Sequence, residues 1–333
     1  MKPIRRCNRR VLLRAGATAV ALALAAWSFP AAAQKAWPDR PIRIIVPYPP
    51  GQGADVMMRL VAQEVSKTLN QAIVVENRAG AGGNIGSAAA AKSPADGYTF
   101  LLGTNATIAA NEFLYPNLGF NPATDLDGVA MICLLPMVIA TSAADLPTNG
   151  IAELIARARA KPNTLNVGLP STTANVVFAQ FVKSAQAPLF GVKYKASAQS
   201  MTDALGGQIP LVIDTVTAAR PLITSGKLRA LGITSLKASE MLPGVKSVSE
   251  QGLPGFDVVA WDGLFAPRGT PPEVVQMMSE HIQRALQQPE TRRKMLDIGA
   301  EPLFMAPAQL SAFAKDERLK WGGIIKAADI RIE

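Results

Sequence analysis

Arg43-Ile44-Ile45-Val46-Pro47-Tyr48-Pro49-Pro50-Gly51-Gln52-Gly53-Ala54-Asp55, running on into Val56-Met57-Met58-Arg59-Leu60-Val61, reads as a short apolar strand, a stiff turn and a helix. Three consecutive β-branched residues, Ile44, Ile45 and Val46, suit a strand buried on both faces of a parallel sheet. Pro47, Pro49 and Pro50 fix the backbone and keep a helix from starting early, while Gly51 and Gly53 let the backbone approach whatever lies above the turn. Asp55 stands where a helix N-cap or first-turn acid belongs, and Val56, Leu60, Val61, Val65 and Leu69 follow at helical spacing. Such a turn aims backbone N–H groups and a helix dipole out of a sheet edge, which suits a small carboxylate or phosphate. An ordinary βα turn capped by an aspartate fits the same residues.

Outward from this stretch, strand and helix signals alternate. Ala72–Glu76 is a strand, Gly80–Gly86 a glycine loop opening a helix over Ser87–Lys92, and Tyr98–Gly103 a third strand. Val129–Ala140 reads as a pair of strands, Ile151–Ala160 as a helix and Leu165–Gly168 as a strand. The hydroxyl-rich turn Ser171–Asn175 opens a further helix, and Ser200–Leu205 is another. Leu211–Asp214 and Leu228–Thr234 are strands, Val258–Ala266 begins a return, and three helices close the chain near Pro272–Leu286, Glu290–Ile298 and Pro307–Ala327. The pattern predicts an α/β fold with mostly parallel sheets.

Residues 1–33 read as an export signal. Lys2, Arg5, Arg6, Arg9, Arg10 and Arg14 form a basic head, Ala15–Ala26 an apolar core, and Ala31-Ala32-Ala33 a cleavage site. The apolar run falls short of the roughly 20 residues a membrane span needs. Asn8–Arg14 also resembles a twin-arginine signal, so either general or twin-arginine export delivers the mature chain to the periplasm. The whole chain holds 34 Lys and Arg against 25 Asp and Glu; without the signal, 28 stand against 25, a net of +3. Nucleic-acid binding loses its electrostatic support.

Reactive chemistry is sparse. Cys133 is the one cysteine after the signal and sits in an apolar run, where a packed core residue is expected; a disulfide within the mature chain is impossible. His281 is the one histidine and is expected on a solvated helix face. No Gly-x-Ser-x-Gly elbow, HExxH or Walker lysine occurs, and neither Gly51-Gln52-Gly53 nor Gly80-Ala81-Gly82 completes a dinucleotide fingerprint. No cofactor and no metal are expected. Polar turns at strand ends suit binding better than catalysis.

Ordered blocks along the mature chain carry a resemblance. They are Trp37-Pro38-Asp39-Arg40-Pro41-Ile42, the Pro/Gly turn, Val75-Glu76-Asn77-Arg78-Ala79-Gly80-Ala81-Gly82-Gly83-Asn84-Ile85-Gly86, Asp96-Gly97-Tyr98-Thr99, Leu205-Gly206-Gly207-Gln208, Gly226–Leu231, Gly252-Leu253-Pro254-Gly255-Phe256 and Gly263-Leu264-Phe265-Ala266-Pro267-Arg268-Gly269-Thr270-Pro271. Together they resemble the Bug-type (TctC-like) receptors, the extracytoplasmic substrate-binding proteins of tripartite tricarboxylate transporters. The resemblance implies a two-domain, type II-like periplasmic binding protein, each domain a mixed, mostly parallel sheet flanked by helices, that closes by a hinge on a small organic acid. The domains would be residues 34–139 with 261–333, and residues 140–260. The partner would be a membrane permease, and the receptor would act as a monomer; a sensor protein as partner, or a secreted enzyme acting on a small acid, are the alternatives. Mono- and dicarboxylates, acidic amino acids and aromatic acids are the ligand classes implied.

Carried onto this sequence, the family's ligand positions are Tyr48, Pro50, Gly51, Gln52, Gly53, Ala54 and Asp55 in the first turn, with Gly103, Thr104 and Asn105 after the third strand. Facing them are Ser171, Thr172, Thr173 and Asn175, then Ala196 and Ser197, and Asp214. Capping alone would also explain the hydroxyls, and Asp214 could serve only to brace a loop. The first turn departs from the usual Pro-Gly-Gly-Gly-Thr-Asp at Gln52 and Ala54, Asn175 stands where His is frequent, and Ala196 replaces a glycine.

Overall fold

The computed structural model describes residues 37–142, 146 and 148–330; the export signal expected over residues 1–33 lies outside the described residues. From Arg40 onward the chain forms one compact unit. Two sheets organise it. The first runs β11-β4-β10-β3-β1-β2 and the second β7-β6-β8-β5-β9.

The opening stretch forms the centre of the first sheet. β1 (Ile42–Val46) pairs in parallel with β2 (Ile73–Asn77) and β3 (Thr99–Thr104), and Ile44, Ile45 and Val46 are fully buried. Helix α1 (Gly53–Leu69) starts after Gln52 and ends at Asn70, which takes the left-handed conformation at φ 50°. Its fully buried face is Met57, Met58, Val61 and Val65; Val56, Leu60 and Leu69, expected on that face, are half-buried. The rotation follows from the helix being covered on two sides, by β2 and by α7 (Pro272–Gln287). α2 (Asn84–Ala91) follows the glycine loop. Beyond β3 come a π-helical turn (Asn105–Ala110) and β4 (Leu126–Leu135), with β10 (Ala260–Pro267) antiparallel to both β3 and β4.

The chain crosses to the second sheet at Pro136. β5 (Met137–Ser142) lies antiparallel to β8 (Leu211–Thr215) and β9 (Leu228–Ile233), while β6 (Asn166–Leu169) runs parallel to β7 (Phe190–Lys193) and β8. The division expected after residue 139 falls inside β5, just past this crossing. α3 (Ile151–Ala160), α4 (Thr172–Ala185), α5 (Ser197–Leu205) and α6 (Val216–Thr224) flank the sheet. The chain returns before Ala260, and α7, α8 (Pro289–Asp297), β11 (Glu301–Met305) and α9 (Pro307–Ala327) complete the first half.

Both sheets are mixed, but parallel pairs do not predominate. Among the described residues four ladders are parallel and five antiparallel. The antiparallel ladders arise because β4 and β5, and the later β10, carry the chain out of one sheet and back again.

The two crossings are tied together by one buried threonine. Thr234 Oγ1 accepts from Met137 N at 3.1 Å and donates to Val258 O at 2.7 Å. Its backbone N donates to Met137 O at 2.9 Å, and Val258 N donates to its carbonyl at 3.1 Å. Cys133 is buried in β4, as expected of a core residue. His281 is half-buried rather than solvated, with Nδ1 2.9 Å from Thr68 Oγ1.

Candidate ligand-binding site

The carboxyl ends of the parallel strands in both sheets converge on one cleft. After β1, β2 and β3 come the turns at Pro47–Gln52, Ala79–Gly83 and Thr104–Asn105; after β6, β7 and β8 come Pro170–Ser171, Tyr194–Lys195 and Thr215. This is where an α/β sheet leaves room for a ligand. An outer chamber of about 550 Å³ is walled by Tyr48, Gly80–Gly83 and Tyr115 on one side and by Ser171, Thr172, Asn175 and Lys193–Lys195 on the other. A smaller inner chamber of about 40 Å³ shares Tyr48, Gln52 and Ser171 with it and is closed by Gly53, Ala54, Thr104, Asn105, Thr173, Asp214 and Asp262, among others.

The first turn supplies donors. Gln52 is the N-cap of α1, but its side chain makes no capping bond, so the first N–H groups of the helix are left for another acceptor. Gly53 and Ala54, at that end, line the inner chamber. Asp55 lines neither chamber; it receives Gly51 N at 2.9 Å, Arg59 Nε at 2.9 Å and Asn77 Nδ2 at 2.8 Å. Burial works against its charge, yet these bonds outweigh it and hold its carboxyl below the ordinary range. Asp55 is therefore a brace for the turn. Pro50 and Gly51 are exposed and outside both linings. Gly53 is needed for packing: a Cβ there would lie 2.5 Å from Thr215 Oγ1.

A hydrogen bond crosses the cleft. Asn105 Nδ2 donates to Thr173 Oγ1 at 2.9 Å, and the Tyr115 hydroxyl and the Thr172 hydroxyl both lie beside Gly82 in the outer chamber. Thr104 caps the π-helical turn and stands 2.7 Å from the Tyr48 hydroxyl, whose pKa is pushed far up by burial. Ser171 is both cap and wall: its Oγ accepts from Ala174 N at 3.1 Å, and it faces both chambers. Asn175 lines the outer chamber and turns its amide to Ser171 O at 2.8 Å. Gly103 lies buried in β3 against Phe265, and Ala196 and Ser197 begin α5; none of the three lines a chamber.

Two buried acids face the inner chamber. Asp214 is 2% and Asp262 1% exposed, and Oδ2 of each is without a hydrogen-bond partner. Burial raises Asp214 to about 6, moderated by Ser197 and Thr215; the Ser197 hydroxyl lies near the carboxyl but outside the geometry of a formed bond, so its Oγ is also unpartnered. Burial alone raises Asp262 to about 8. Gln52 Oε1, in both walls, is a third buried acceptor without a donor.

Sequence reasoning brought Tyr48, Gln52, Gly53, Ala54, Thr104, Asn105, Ser171, Thr172, Thr173, Asn175 and Asp214 into the chamber walls. It missed Asp262, Tyr115, Lys193, Lys195 and the Gly80–Gly83 loop. The loop carried a signal, a second glycine-rich turn after a strand adjacent to the first. So did Asp262, a lone acid inside the apolar run Val258–Ala266.

A family profile described as "Tripartite tricarboxylate transporter family receptor" matches residues 57–330. Protein BugT of Bordetella pertussis is 35% identical over 300 residues, covering 89% of this chain and 92% of its own length. An R. palustris protein solved with adipate superposes with a TM-score of 0.86 at 33% identity, over 89% of this chain and all of that one. MatC from Rhodopseudomonas palustris with bound malate gives 0.80 at 29% identity, over 87% of this chain and all of that one. Among the described residues no helix is long and apolar enough to cross a membrane.

Proposed function

Because the chain belongs to the tripartite tricarboxylate transporter receptor family, we propose that it is a periplasmic receptor that captures a small organic acid and delivers it, as a monomer, to a permease of that transporter type. Adipate and malate in the structural relatives support a carboxylate as the ligand. The observation that carries the reading is the first turn of α1, which has no side-chain cap and opens into the cleft. There a carboxylate meets free N–H groups and the positive end of the helix dipole. Lys193 and Lys195, in the outer wall, add favourable charge.

The two halves act as lobes that close over the acid, with the crossings at Pro136 and before Ala260 as the hinge. Closure dries the site and strengthens the charge-assisted bonds. The reading is binding rather than turnover: neither Cys133 nor His281 lines either chamber. Residues 1–33 serve as the cleaved export signal.

A thermal-shift screen of the refolded mature chain tests this. Refolding removes carried-over ligand, and the acids used are malate, succinate, glutarate, adipate, citrate, aspartate, glutamate and benzoate. An acid at a hundredfold excess over Kd stabilises the native state by about 2.7 kcal/mol, a shift of several degrees that saturates. An acid recovered chemically altered would replace the receptor reading with an enzymatic one; no shift with any acid would remove the carboxylate.

A further inference from the structure

We propose that the inner chamber is a site for a primary ammonium group, so that the ligand is an amino acid carrying its ammonium beside a carboxylate. This deepens the receptor reading and rests on it. Three buried oxygens, Asp262 Oδ2, Asp214 Oδ2 and Gln52 Oε1, belong to the walls of the inner chamber, and each is without a donor. Buried polar atoms are nearly always hydrogen-bonded; the Ser197 hydroxyl beside Asp214 can turn to serve that carboxyl, which leaves Asp262 Oδ2 and Gln52 Oε1 calling for a donor from outside the chain. The space of about 40 Å³ has room for about two or three water-sized groups, which suits an ammonium and excludes a larger cation.

Charge leads to the same group. Neither acid has an ion pair among the described residues; the cations of the cleft, Lys193 and Lys195, are in the outer wall. Buried carboxylates without a counter-charge are held partly protonated by desolvation, and an incoming cation supplies the missing partner. Tyr48 and Cys133 also feel the Asp262 charge, and neither supplies a positive one. Donors and acceptors meet in the same small chamber, since Gly53 and Ala54 open α1 there. A carboxylate on that helix end places an ammonium on the adjacent carbon within reach of the acids, while the rest of the ligand extends into the outer chamber.

The experiment is isothermal titration of the refolded mature protein at pH 7.5 with matched pairs: aspartate against succinate, glutamate against glutarate. 4-Aminobutyrate, whose amine is remote from its carboxylate, controls for position. At least one amino acid should bind tenfold or more tighter than its amine-free partner and than 4-aminobutyrate. Repeating the titration in buffers of different ionisation enthalpy should show protons released as the amino acid binds, because the ammonium drives Asp262 to its charged form. Asp262→Asn should bring the two members of the pair to within about threefold.

Tighter binding of the amine-free acid, or proton uptake with the amino acid, overturns the ammonium site and leaves the carboxylate receptor standing. Absence of binding by every acid overturns both. A thermal shift with calcium chloride alone would assign the chamber to a metal ion and also overturn the proposal. The proton count and the pairwise preference are read on the unsubstituted protein, so a variant that fails to fold does not remove the test.

Discussion

Asp262 makes the ligand-free protein sensitive to pH in a window that other groups leave clear. Its carboxyl is raised from 3.8 to about 8, so the folded chain holds a proton that the unfolded chain releases. Its stabilisation is complete below pH 3.8 and is lost as pH rises through 8. Asp214, raised to about 6, acts in the same direction but lower. The depressed acids Asp55, Glu64 and Glu76 act below about pH 4.5, where stability is lost as pH falls, and the lowered His281 acts below 6.5. Cys133, whose thiol burial raises above its ordinary 9.0, adds a loss in the same direction above about pH 8. Between about pH 7 and 8 the slope is therefore chiefly that of Asp262, at up to about 1.4 kcal/mol per pH unit. Urea titrations across that range should show the wild type losing stability and Asp262→Asn staying flat; parallel lines would reject the assignment. Gly53→Val makes a second test at this scale. The added Cβ meets Thr215 Oγ1 at 2.5 Å, and the Cβ atoms of Thr215 and Thr217 at 3.2 and 3.3 Å, so the variant should lose about 1–3 kcal/mol together with ligand affinity. Gly51→Ala, in open space but at φ 81°, should lose about 1 kcal/mol from backbone strain and keep its affinity. Equal behaviour of the two glycine variants would show that the Thr215 contact is unimportant. The sequence reading had Gly53 admitting the ligand; its neighbour across the cleft is a threonine 162 positions later in the chain, a distance that no local pattern reveals.

At the scale of elements, α1 trades stability for a free N-terminus. Gln52 leaves its first turn uncapped. Gln52→Ser should add about 0.5–1 kcal/mol through an N-cap bond while weakening acid binding, because the new hydroxyl takes donors the ligand needs. Calorimetry showing tighter acid binding would contradict the role given to this helix end. The central elements were legible: β1, β3, β5 and β8 are apolar runs whose burial follows directly from composition. β7 and β11 were not, and both are edge strands. Phe190 and Lys193 of β7 are exposed, and β11 contains Pro302, so neither strand has the apolar signature of one covered on both faces. The turns of the site were legible where glycine and proline mark them. Asp262 of β10 was visible as a lone acid in an apolar run, but its place in the cleft emerges only when both sheets are assembled.

Across the whole molecule, the cleft is bridged by the protein's own side chains. The Asn105–Thr173 bond is buried and joins the two halves. Asn105→Ala leaves the Thr173 hydroxyl without its donor, a cost of about 1–3 kcal/mol if the cleft stays shut and much less if it opens to water. The variant should open: small-angle scattering should show a larger radius of gyration without ligand, and saturating acid should restore the wild-type value. An unchanged radius would mean that other contacts hold the halves together unaided. The four bonds of Thr234 bear on the same motion. By pinning Met137 and Val258 to one residue, they make the two crossing strands turn together. A pair of strands so pinned has a single axis and no independent slack. In kinetic terms, the hinge proposed above should then open in one step, with one rate constant for the ligand-free protein. Chemically different ligands would leave at different speeds, but none faster than that common limit.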